Sequence, residues 1–156
     1  MGRKQAGSLG ELTIDKRRSM DTAKTFLIQR IFLAVAALSG AFSVALGAYA
    51  SHGLKLSLTP DALAVTETAL NYQFIHTLAL LYISLIISKS RLIIATGFFF
   101  ILGVLFFSIN LYAIQLYNFV ALSKLTPVGG VCFILGWLSL FVFAVTGTHA
   151  KKNTDH

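Results

Sequence analysis

The sequence predicts an all-α membrane protein, an antiparallel bundle of four transmembrane helices, and three observations predict it. Hydrophobic residues make up 56% of the 156 and charged residues only 12%, with a mean hydropathy of +0.75, a balance outside that of water-soluble globules. The charges also stand far apart. No Asp, Glu, Lys or Arg occurs between Arg30 and Lys55, Glu67 and Lys89, Arg91 and Lys124, or Lys124 and Lys151. Third, the basic residues divide unevenly around those gaps: Arg3, Lys4, Lys16, Arg17, Arg18, Lys24, Arg30, Lys89, Arg91, Lys151 and Lys152 fall on one side, and only Lys55 and Lys124 on the other.

Each gap holds one span. A hydrocarbon core of about 30 Å takes roughly 20 helical residues at about 1.5 Å each, so helices are expected near 26–51, 62–88, 91–117 and 127–149, within a membrane domain covering 25–150. Loops retained in the cytoplasm carry the excess of Lys and Arg. Both termini are therefore expected in the cytoplasm and the chain in a cell inner, or plasma, membrane, with the lipid bilayer as its surroundings. Basic helix flanks account for the net charge of +7, and no nucleic-acid partner is inferred from it.

Residues 1–24 are polar, glycine-bearing and without apolar periodicity, and read as a mobile basic cytoplasmic tail; 151–156 read as a second tail. Glu11, Asp15 and Asp21 argue against an organellar transit peptide, no cleavage site follows a short apolar core, and Met20 offers an alternative start.

In the first span Ser39, Ser43, Gly47 and Ser51 recur every four residues beside Ala37, Ala41 and Ala45. Small residues at this spacing let helices approach closely in lipid, so this helix is expected at the centre of the bundle, or at a seam between two copies. The helix-end motif His52, Gly53 and Lys55 follows. Gly53 suits a left-handed position after the helix, and His52 would donate to unpaired carbonyls at the negative end of the helix dipole; a proton or ligand role for His52 stays open. Thr59-Pro60-Asp61 supplies a start for the second helix: a capping hydroxyl, a proline in the first turn and an acid near the positive dipole end.

The second span is the least lipid-like. Thr68, Tyr72 and His76 form a polar stripe flanked by Gln73 and Thr77, opposite Leu70, Phe74, Leu78, Leu81 and Leu85. Its polar face must be buried. A histidine at mid-membrane depth is a functional-site candidate by default, weighed against a neutral ring bonded to a neighbouring helix. Ser108 and Asn110 in the third span are expected to pair with Tyr72 across the short 88–91 turn. Thr68, Tyr72, Gln73, His76, Ser108 and Asn110 thus form the candidate polar cluster.

In the fourth helix Thr126 can cap, Pro127 occupies the first turn, and Gly129 and Gly130 permit close approach. Trp137, near the middle of that helix, is expected to pack internally with an acceptor for its indole N–H. Phe98, Phe99 and Phe100 read as packing residues, and Cys132 as a small apolar one. No catalytic residues, cofactor site or metal-ligand set is found: two-histidine haem ligation would need rings at one depth, whereas His52 lies at the outer edge and His149 at the inner edge.

The chain resembles a family of small bacterial inner-membrane proteins of the YgdD and YwdK type, with eukaryotic relatives called transmembrane protein 256, grouped as domain of unknown function 423. The resemblance spans residues 31–145. Its blocks are Gly47-Ala48-Tyr49 before His52-Gly53-Leu54; Thr68-Ala69, Tyr72-Gln73, His76 and Leu78-Ala79-Leu80; Phe107-Ser108 and Leu111-Tyr112; and Thr126-Pro127, Gly129-Gly130, Phe133 and Gly136-Trp137. Ala50, Ser51, Thr77, Ile109 and Asn110 depart from its pattern. The resemblance implies a four-span inner-membrane protein and names no activity.

Two function classes follow. One is a non-enzymatic membrane component that packs against a membrane-protein partner or itself as a homo-oligomer, since no nucleophile stands with a base and no acid lies in the membrane. The alternative is a small-molecule or proton-handling site, with a transport role, in the outer half of the bundle.

Overall fold

The computed structural model describes residues 3–87 and 90–146, with side chains from Ile14 onward, and every regular element among them is helical. Helix α1 is Arg3–Tyr49, α2 is Pro60–Ile86, and α4 is Thr126–Thr146. Helix α3 runs Arg91–Tyr117 in three continuous parts: Arg91–Gly103, a π-helical turn Val104–Ile109, and Asn110–Tyr117. Four stretches are long and apolar enough to cross a membrane, and consecutive ones run antiparallel.

Helix α1 starts more than twenty residues before the expected position, so the segment read as an irregular tail is helical from Arg3. The cause is local. No Gly or Pro interrupts residues 11–39, and Lys, Arg, Met and Ala in this stretch favour helix. The hydroxyls of Ser19, Thr22 and Thr25 each donate to a carbonyl one turn back at 2.9 Å. Side chains 14–24 are exposed on all sides, so tertiary packing contributes nothing here.

The end of α1 also differs from expectation. The chain turns without a left-handed glycine: a π-helical turn, Ala50–Leu54, passes directly into the short helical turn Lys55–Ser57. Gly53 is therefore not a cap. A Cβ there would overlap the Tyr49 ring one turn earlier, so its smallness accommodates that ring. His52 does not close the helix either and is exposed. The start of α2 follows the sequence: the Thr59 hydroxyl accepts from Ala62 N–H at 3.3 Å with Pro60 in the first turn. Helix α3 ends at Asn118, in the left-handed region at φ 57°, whose N–H donates to the Ile114 carbonyl at 3.0 Å.

Helix α2, not α1, is central. It hydrogen-bonds through side chains to each of the other three spans and is the most buried of them. Its buried seam is Thr66, Ala69, Gln73, His76, Leu80 and Ile83, a strict alternation of three- and four-residue steps that keeps one line of the helix facing its neighbours. Thr68 and Tyr72 lie off that line and are exposed. Steps of four advance about 40° each at 100° per residue, so of the predicted stripe only His76 reaches the seam. The serine face of α1 meets α2, with Ser43 buried and Gly47 against Leu70, whereas Ala37, Ala41 and Ala45 face outward.

Two apolar clusters bracket the polar middle of the bundle. One gathers Phe32, Ala36, Leu80, Ile83, Ile93, Phe100 and Phe133, and the other Leu46, Ala50, Leu54, Ala69 and Tyr112. The first is built by seating rings on glycines: a Cβ at Gly97 would overlap the Phe32 ring, one at Gly103 the Phe133 ring, and one at Gly136 the Phe100 ring. At Gly129 the obstacle is backbone, at Phe106 and Phe107, so α4 and α3 touch main chain to main chain there. Gly130, expected to share this role, faces open space.

The two adjacent glycines should separate in mutagenesis. Gly129→Ala has no room to relax and is expected to cost about 1–3 kcal/mol. Gly130→Ala should be neutral or stabilising by up to about 1 kcal/mol through helix propensity. Thermal unfolding in detergent measures both, and equal losses would contradict the packing described.

Candidate functional site

The polar residues of the membrane domain collect at mid-length of α2. Gln73 is 1% exposed and its amide has a partner on each flank. Its Nε2 donates to the Ser39 carbonyl at 3.2 Å and to Ser39 Oγ at 3.1 Å on α1, while its Oε1 accepts from the Tyr112 hydroxyl at 2.9 Å on α3. Ser39 Oγ in turn shares a hydrogen bond with Thr77 Oγ1 at 2.6 Å. Four side chains thus bind three helices. Tyr112 reaches Gln73 because the π-helical turn Val104–Ile109 adds a residue to one turn of α3 and rotates all that follows.

One turn further along α2, His76 uses both ring nitrogens. Nε2 lies 3.1 Å from Trp137 Nε1 on α4, and Nδ1 lies 2.7 Å from the Tyr72 carbonyl. An indole N–H only donates, so Nε2 accepts and the ring proton sits on Nδ1, donated to the carbonyl: the neutral tautomer, assigned from its partners. The ring is also boxed by aromatics. Phe133 stacks on it at 3.5 Å and Phe100 meets it edge-on at 5.4 Å. Trp137 therefore has the acceptor its position demanded, but the residue is 45% exposed and does not pack internally as expected.

The expected pairing of Tyr72 with Ser108 or Asn110 does not form. Tyr72 packs its ring on Phe107 at 4.7 Å, and Asn110 Nδ2 donates instead to the Leu122 carbonyl and to Thr126 Oγ1, both at 2.8 Å. Asn110 thereby ties α3 to the 3₁₀ segment Val120–Leu125 and to the start of α4. Ser108 is fully buried, and its Oγ takes no partner among the described residues, as does Asn110 Oδ1. Thr68 bonds only its own helix, at the Ala64 carbonyl. Of the six cluster residues, then, Gln73 and His76 occupy the polar centre, Tyr72 contributes through its carbonyl, and Thr68, Ser108 and Asn110 lie elsewhere.

Sequence reasoning did not assign Ser39 or Tyr112 to this centre, nor the Thr96–Ser139 pair at 2.7 Å that joins α3 to α4. Each hydroxyl stands singly in an apolar run. Thr96 and Tyr112 are buried, and the signal available was that an isolated hydroxyl deep in a span needs a partner. No group of three or more His, Cys, Asp or Glu able to hold a metal occurs among the described residues. His149 lies outside them.

Beside the polar centre, between α1, α2 and α3, is a cavity of about 340 Å³. Ser39, Gln73, His76 and Thr77 form part of its wall, with Val35, Leu80, Ile101 and Val104.

Four apolar spans joined by neutral hydrogen bonds and ring-on-glycine contacts define a small polytopic membrane protein. The chain belongs to the family described as protein of unknown function (DUF423), whose model matches residues 46–130, more than half of its length. It is 40% identical over 113 residues to a UPF0382 membrane protein of Haemophilus influenzae, covering 70% of this chain and 89% of the relative. A UPF0382 membrane protein of Staphylococcus haemolyticus is 38% identical over 114 residues, covering 72% and 93%. The UPF0382 inner membrane protein YgdD of Escherichia coli is 35% identical over 121 residues, covering 76% and 92%. No solved structure matches the chain.

The His76–Trp137 bond predicts a non-additive pair. His76→Leu strands the indole N–H and Trp137→Phe strands Nε2, each at about 1–3 kcal/mol, and the double variant should cost clearly less than the sum. Detergent thermal stability provides the cycle. Full stability in His76→Leu, with loss of a cellular phenotype, would assign the ring to function rather than to packing.

Proposed function

We propose that this protein is a non-enzymatic component of the cell inner membrane that associates, through α1, with a membrane-protein partner or a second copy of itself. The two-sidedness of α1 carries this reading. Its serine face is committed to α2, while Ala37, Ala41 and Ala45 form an outward strip. Small residues on an outward face give a second helix the close approach that drives association in lipid. The non-enzymatic part is supported by the polar centre: the hydrogen-bonding groups of Gln73 and His76 are engaged by fixed protein partners, leaving neither a free base nor a nucleophile beside one. The relative named as an inner membrane protein supports the compartment.

Association through this face is tested by cysteine trapping. In a Cys132→Ser background, which removes the single native thiol, Ala41→Cys should give an oxidant-induced covalent dimer or a trapped adduct with a partner in native membranes. A cysteine at Leu85, on the outward face of α2, should give neither. Equal trapping at the two positions, or none at Ala41, would overturn the proposal.

The same proposal places both termini in the cytoplasm, on eleven basic residues against two. Reporters fused after Lys152 and within 54–60 are expected to read cytoplasmic and external respectively. An external carboxyl terminus would invert the topology.

A further inference from the structure

We infer that the cavity between α1, α2 and α3 is a binding site for one acyl chain of a membrane phospholipid, entering sideways from the bilayer. This goes beyond the association proposed above and stands or falls separately from it.

The geometry is that of a side window. Helices α1 and α3 touch through two aromatic pairs, Phe32 with Phe98 at 5.3 Å between ring centroids and Phe42 with Tyr112 at 6.1 Å. Phe32 and Phe42 are about 15 Å apart along α1 at 1.5 Å per residue. Between these pairs the helices part over the cavity of about 340 Å³. Its rim is Leu38, Phe42, Leu105 and Ile109, all exposed on the outside of the bundle. The opening therefore faces whatever surrounds the spans at mid-length.

The wall chooses the ligand. Ser39, Gln73 and Thr77 bond to one another or to Tyr112, and both nitrogens of His76 are engaged, so the polar part of the wall is largely self-satisfied and carries no charged group to hold a headgroup. The rest of the wall is apolar, aliphatic but for Phe42. A volume near the lower end of the roughly 300–1,000 Å³ range of small-molecule sites suits one flexible chain. The driving force is dispersion rather than transfer from water, since the chain leaves hydrocarbon for a concave surface that touches it on several sides.

The test uses the full chain in nanodiscs containing a phospholipid with a diazirine in its acyl chain. Crosslinks mapped by mass spectrometry should favour Leu38, Ile101 and Leu105 at least fivefold over Phe141, which faces outward on α4. Val104→Phe, filling the cavity, and Leu38→Trp, blocking the rim at a position too exposed to threaten folding, should each abolish that excess while labelling at Phe141 is unchanged. A parallel arm with a free diazirine fatty acid distinguishes the source of the chain. Uniform labelling around the bundle, an excess that survives both variants, or labelling by the free acid alone would overturn the assignment.

Discussion

A primary amide buried in hydrocarbon has to find its partners inside the protein, and Gln73 shows how far that one requirement reaches. Its donor side can be satisfied only if α1 presents Ser39 at one height and rotation, and its acceptor side only if α3 presents Tyr112 at the same height. Interhelical hydrogen bonds in membranes are worth only about 0.6 kcal/mol on average, so the network's contribution to stability is modest. Its contribution to specificity is larger. A slide of either helix by one turn would strand polar groups at a cost of several kcal/mol each, which sets a single register for three spans.

The fourth span is held by different means. Between α3 and α4 the shapes interlock: Phe133 against Gly103, Phe100 against Gly136, and backbone against Gly129. Lipid removes the hydrophobic drive between helices, and close packing takes its place. The Thr96–Ser139 bond to α3 and the Trp137–His76 bond to α2, two residues apart on α4, then set its rotation. In this setting the mid-membrane histidine is the acceptor that orients a tryptophan. Its neighbours Phe133 and Phe100 stand in part because glycines on the facing helices make room for them.

The π-helical turn of α3 links these features. It runs Val104–Ile109 and separates Phe100 and Gly103, which interlock with α4, from Tyr112, which bonds Gln73 on α2. A regular helix would carry one face throughout. The same part of α3, with Leu105 and Ile109, forms one rim of the window beside α1, so the irregularity that completes the polar network also borders the cavity.

What the sequence by itself determined was everything that one helix and its solvent decide. Spans follow from apolar length, their flanks from charge, and the start of α2 from Thr59 and Pro60, because each is a local property or a transfer from water to lipid. Some deep polar residues were legible too: a Gln or His in a span must be buried, and Gln73 and His76 are. Only the tertiary structure decided which faces meet. In lipid both the inward and the outward side of a helix are apolar, so hydrophobic periodicity no longer marks the inner face, and the Thr68–Tyr72–His76 stripe pointed about 40–80° away from the true seam. Partner choice was equally out of reach. Whether Gln73 meets Tyr112 or Asn110 depends on a one-residue π-helical turn, and no residue in Val104–Ile109 announces it. Residues 14–24 of α1 mark the converse limit: exposed on all sides, they rest on local propensity, which the polar composition of that segment concealed.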